Sequence, residues 1–136
     1  MKRPAKRPRR KGDDGLTEKS LDYLAMQPDV WAERRNSGSI LIKNRDGSFR
    51  HVYLGEPGTP DITLVIRVRR GHYSKVSRAY EPSWSLVYAG IETKRKGGKL
   101  NPAQRLFHAK AEKWGMPICT AKSLEDVKLF LEGLRK

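Results

Sequence analysis

The chain of 136 residues has a single cysteine, so it can build neither a disulfide framework nor a cysteine-ligated zinc site. That residue, Cys119, lies in the apolar run "MPICTA", where a small core side chain is the expected role rather than a reactive thiol. No apolar run approaches the roughly 20 residues that a membrane-spanning helix needs. The basic N-terminus is not followed by an apolar stretch, so it does not read as a secretory signal. An intracellular, cytoplasmic protein is expected. There is no internal repeat, and His51, His72 and His108 show no metal-ligand spacing. Acidic residues are scarce: 15 Asp and Glu stand against 29 Lys and Arg, giving a formal net charge of +14.

That imbalance is the strongest compositional signal. The first 15 residues, "MKRPAKRPRRKGDDG", hold seven Lys/Arg and two Asp, so residues 16–136 retain a net +9. A body this basic is expected to meet a polyanion, because each Lys or Arg at a phosphate releases condensed counterions. An acidic protein or an anionic membrane surface would also fit charge alone, and nucleic acid is favoured. The first 15 residues, rich in Pro, Lys and Arg, cannot bury apolar surface and read as a disordered basic tail. The remainder, 16–136, is the size of one domain with a real core.

Hydrophobic periodicity predicts a helix over "LTEKSLDYLAMQ", with Thr17 as its N-cap and Pro28 beyond its end. Strands follow in "VWAERRNSGSILIKNRDGSFRHVYLGEPG", where "SILIKN" and "FRHVYL" flank an Asp-Gly turn. After the rigid "EPGTP", "DITLVIRVRR" reads as a strand. "GHYSKVSRAYEPSW" reads as a long polar connection broken by Pro82, and "SLVYAGIETK" as the next strand. "RKGGKL" is a basic glycine loop. In "NPAQRLFHAKAEKW", Asn101 is a good N-cap and Pro102 stands at the first helical position. Gly115 stops that helix. "MPICTA" is a short strand, and Ser123 caps a last helix with an apolar stripe at Val127, Phe130, Leu131 and Leu134. The order predicts an α/β fold, a mixed sheet flanked by helices.

If "TPDITLVIRV" and "SLVYAGIETK" pair antiparallel, Asp61 at the start of one lies beside Glu92 near the end of the other. Glu92 and Lys94, two residues apart, share a face, and Thr93 turns the other way. Two carboxylates and an amine then converge at one sheet end. Such a group suits phosphodiester hydrolysis assisted by Mg²⁺ or Mn²⁺. Asp61 and Glu92 would hold the ion, with the Thr93 carbonyl as a further oxygen, and Lys94 would stabilise charge or assist proton transfer.

"TPD", "IETK" and "GGKLNPAQ" together resemble the VRR-NUC branch (virus-type replication and repair nucleases) of the PD-(D/E)xK nucleases. The resemblance runs from about Leu16 to Leu134. It implies a restriction-endonuclease-like fold in the order αβββαβα and a Mg-dependent DNA endonuclease. It adds Gln104 to the site and offers Glu18 on the first helix as a further metal-side carboxylate. Small stand-alone members occur in phages and bacteria, tend to be homodimers and act on branched DNA such as four-way junctions. The stretch between Asp61 and Glu92 is longer than the usual pattern.

Each site residue has a plainer reading beside this one. Glu92 and Lys94 would make a strand-end ion pair of little worth. Asp61 would be a turn residue after Pro60. Gln104 sits three residues after Asn101, the spacing of a capping box. Glu18 would serve the dipole of its helix, and Glu33 is a weaker rival for any extra carboxylate. Arg95, Lys96 and Lys99 are candidates for DNA phosphates or simply a solvated loop. Trp31, Trp84 and Trp114 read as core or interface residues. The alternative function is a DNA-binding module that keeps the fold without cutting.

Overall fold

A computed structural model describes residues 15–35, 39–53 and 55–136. Apart from Gly15, the predicted basic tail lies outside the described residues. The elements are α1 (Leu16–Ala25), β1 (Val30–Arg34), β2 (Ser39–Lys43), β3 (Phe49–Tyr53), β4 (Ile62–Ser74), β5 (Ala79–Thr93), α2 (Pro102–Trp114), β6 (Ile118–Ala121) and α3 (Leu124–Arg135). Four strands form a sheet in the order β1-β4-β5-β6, and β2 and β3 form a separate two-stranded hairpin. β4 pairs antiparallel with β1 and β5, whereas β5 and β6 run parallel, so the sheet is mixed. The parallel pair requires a crossover, and α2 supplies it. No helix among the described residues is long and apolar enough to cross a membrane.

The core follows from the alternation in β4 and β5. Ile62, Leu64, Ile66, Ala89 and Ile91 are buried together with Leu24 of α1 and with Val127 and Leu131 of α3. α1 and α3 therefore cover one face of the sheet. Cys119 is half-buried against this core, and burial pushes its thiol up to about 12, which suits an inert side chain. Asn101 and Ser123 cap α2 and α3 as expected.

Three expectations need correction. Gly15, with a left-handed φ of 80°, is the cap of α1, and Thr17 lies inside the helix with its side chain buried. The predicted polar connection after Arg70 is instead ordered pairing. β4 and β5 stay in register from Ile62↔Ile91 out to Ser74↔Ala79, and only residues 75–78 turn. Aromatic side chains on this stretch favour a strand, and Pro82 is tolerated because it faces Gly71 where the ribbon is only two strands wide. Finally, of the core or interface role expected for the tryptophans, the core role does not hold: Trp31, Trp84 and Trp114 are all exposed.

Candidate active site

The β4–β5 register sets the site. Ile62 pairs with Ile91, so Asp61, one residue before, stands beside Glu92, one residue after. The Asp61 carboxylate is fixed by Thr93: Oδ2 accepts the backbone N–H and the hydroxyl, both at 2.9 Å. Thr93 Oγ1 also lies 2.6 Å from Thr17 Oγ1. Because the Thr93 hydroxyl gives its proton to Asp61, Thr17 is the donor in that second bond. A relay of two buried hydroxyls thus ties α1 to Asp61.

Gln104 comes from the first turn of α2. Its backbone N–H donates to Asn101 Oδ1 at 2.8 Å, and its Oε1 accepts the Asn101 N–H at 2.9 Å. That is a complete capping box. It also orients the amide, since Oε1 is taken and Nε2 must point away. Nε2 donates to Glu92 Oε1 at 2.7 Å. The cap and the site contact are two ends of one side chain. α2 can approach this closely because residue 58 is glycine. With φ of +83° it lies against the first turn of α2, where a Cβ would fall 2.1 Å from the Ala103 carbonyl oxygen.

Glu92 is only 2 % exposed. Lys94 Nζ lies 3.6 Å from its Oε1, and the buried Oε2 receives no hydrogen bond from a donor among the described residues. Burial above all, then the nearby charge of Asp61, pushes the Glu92 carboxyl up to about 8, against the opposing pull of Lys94. In the protonated form Oε2 has a hydrogen to direct toward Asp61. In the ionised form it is an orphaned, desolvated acceptor beside a second carboxylate.

The other predicted residues stand apart. Glu18 is exposed and accepts a hydrogen bond from Arg34 Nη1 of β1 at 3.1 Å. Glu33 is exposed on β1 opposite Thr63. Among the described residues no group of three or more His, Cys, Asp or Glu side chains is gathered to hold a metal. The cluster is therefore Asp61, Glu92, Lys94 and Gln104, with two carboxylates. Arg95, Lys96 and Lys99 are exposed in the loop between β5 and α2. Sequence reasoning missed Thr17 as a second support. The available signal was its spacing: Thr17, Ser20 and Leu24 fall on one helical stripe, and all three are buried.

The donor set fits a hydrated divalent cation. Mg²⁺ takes one or two carboxylates from a protein and keeps several waters. A buried carboxylate oxygen without a partner, next to another carboxylate, is the local charge pattern such an ion neutralises. No family model, curated protein or solved structure matches the chain.

Proposed function

We propose that the chain is a metal-dependent DNA endonuclease of the PD-(D/E)xK type, in the VRR-NUC branch, with a restriction-endonuclease-like arrangement of its mixed sheet. Branched DNA such as a four-way junction is the favoured substrate, and a homodimer would present two sites to it. One observation carries the reading: Glu92 is buried beside Asp61, and among the described residues no side chain or backbone N–H donates to its Oε2. Burying a carboxyl this way is unfavourable for the fold alone, which points to a ligand that uses it.

Asp61 and Glu92 would hold Mg²⁺, which when bound lowers the pKa of water and offsets charge on the phosphate. Thr17 and Thr93 keep the Asp61 carboxylate from rotating. Gln104 fixes the plane of the Glu92 carboxyl through Oε1, which leaves Oε2 for the ion. Lys94, half-buried beside Glu92, places an ammonium where charge develops on the scissile phosphate. Arg95, Lys96 and Lys99, on the adjoining loop, would hold the flanking backbone.

The test is a panel of linear, flapped, forked and four-way-junction DNAs incubated with Mg²⁺ or with EDTA. Cutting that needs Mg²⁺, is strongest on branched substrates and disappears in Glu92→Gln is the expected result. Binding with no cutting of any shape would reassign the protein as a non-catalytic DNA-binding module.

A further inference from the structure

The face of the sheet opposite the core carries Glu92 at one end, and the rest of it has no role in that site and is built in an unusual way. Residues paired across strands project to the same side, and successive residues alternate. One set faces α1 and α3. The other set brings together Trp31 on β1, Arg67 and Arg69 on β4, and Trp84, Leu86 and Tyr88 on β5. The helix on this side, α2, packs on β6 and touches β5 at Glu92 through Gln104, at the far end from these residues. Trp31 is 71 % exposed, Leu86 72 %, Trp84 56 % and Tyr88 47 %. A monomer rarely leaves this much contiguous aromatic surface in water without a use for it.

Charge identifies the occupant. The Arg67 guanidinium lies 4.5 Å from the centre of the Trp84 ring, and Arg69 is directly opposite Trp84. Arg35 reaches the same side, where Trp31, Thr63 and Tyr88 line an open cleft with it. Among the described residues Glu33 is the only acid that lines that cleft. A second copy seated on this face about a two-fold axis would set its arginines against these arginines, in a chain already at +14. A polyanion relieves that charge. Aromatic rings interleaved with guanidinium groups are what a single strand of nucleic acid needs, with bases on the rings and phosphates on the arginines.

Spacing gives the path. On β5, Tyr80, Trp84, Tyr88 and Glu92 recur every fourth residue on this side, about 13 Å apart. Tyr80 meets Tyr73 edge to face at 5.9 Å near the tip. The rings therefore run in a line that ends at the candidate active site. We infer that this uncovered face is a stacking track for a single-stranded segment of nucleic acid leading to Glu92. The inference rests on the nucleic-acid reading above, and it makes an unpaired arm or flap, rather than uninterrupted duplex, the part of the substrate that is gripped.

The experiment uses the full chain in EDTA, so that no cutting enters. Fluorescence anisotropy would compare an oligo(dT) of about 20 nucleotides with a blunt duplex of equal length. Trp84→Ala and Tyr88→Ala should each weaken oligo(dT) binding on the order of tenfold and change duplex binding much less. Trp84→Phe should restore most of the affinity, because it restores a ring. Bound oligo(dT) should also quench tryptophan fluorescence. Unchanged oligo(dT) binding in both alanine variants overturns the inference. So does a wild-type dimer, seen by sedimentation velocity, that Trp84→Ala turns to monomer without altering oligo(dT) binding, for the face then holds a second copy. A chain that cuts no DNA yet shows these losses would sink the nuclease proposal and leave the track standing.

Discussion

Glu92→Gln should make the metal-free protein more stable at alkaline pH while ending its use of metal. The Glu92 carboxyl is raised from the ordinary 4.5 to about 8, mainly by burial. The folded state therefore holds this proton more tightly than the unfolded state. Its contribution to stability is complete below about pH 4.5, declines as pH rises, and is gone above about 8. At about 1.4 kcal/mol per pH unit, the loss across that window is about 5 kcal/mol. Glutamine has the same shape, still accepts from Gln104 through its amide oxygen, and never ionises. Melting followed by circular dichroism in EDTA at pH 5 to 9 isolates the effect as the difference between the two proteins. The wild type should fall relative to the variant by on the order of 10 °C over the range. Mg²⁺ should raise the wild-type melting temperature at pH 9, where binding neutralises the exposed penalty, and leave the variant unmoved. Parallel curves for the two proteins at every pH would refute the placement of Glu92 as a buried, protonated carboxyl.

Gln104→Ala removes both a cap contact and the donor to Glu92, so the fold should lose about 1 kcal/mol and cutting should fall between about 10- and 100-fold; chemical denaturation and initial rates measure the two parts, and an unchanged rate would leave Gln104 as a cap only. Thr17→Val keeps the shape but breaks the hydroxyl relay to Asp61, which should cost about 1 to 2 kcal/mol in urea unfolding; a loss near zero would mean the relay does not hold Asp61. Gly58→Ala meets both a positive φ and the Ala103 carbonyl, so it should destabilise by more than 1 kcal/mol and slow cutting even at temperatures where it is folded. Equal specific activity of folded Gly58→Ala and wild type would show that the α2 spacing does not matter to the reaction.

The pairing of Asp61 with Glu92, and the common face of Glu92 and Lys94, were legible because strand geometry has a fixed period and an antiparallel hairpin brings its open ends together. Gln104 was legible twice, once through the resemblance and once through its capping-box spacing from Asn101, and the structure joins the two because the cap leaves Nε2 for Glu92. The long ribbon was not. Polar residues and Pro82 lower strand propensity locally, and the pairing of Tyr73 with Tyr80 and of Arg69 with Trp84 exists only across the strands. Thr17 was misread for a related reason. Threonine is common at helix caps, and only the tertiary partner Thr93 shows that its hydroxyl is turned inward. Glu18 had the right position on α1 for the resemblance, but its exposed carboxylate pairs with Arg34 of β1.

The contact at Gly58 has one more consequence. Two backbones meet there without an intervening side chain, at a distance where even a methyl group would overlap the Ala103 carbonyl. Side-chain packing yields to substitution, because rotamers shift and neighbours fill gaps, whereas a backbone resting on a backbone acts as a mechanical stop. The gap between Glu92 and Gln104 is thus set by a hard surface on the turn before Asp61. Repacking elsewhere in α2 can change the stability of the helix without changing how far its first turn stands from the carboxylates.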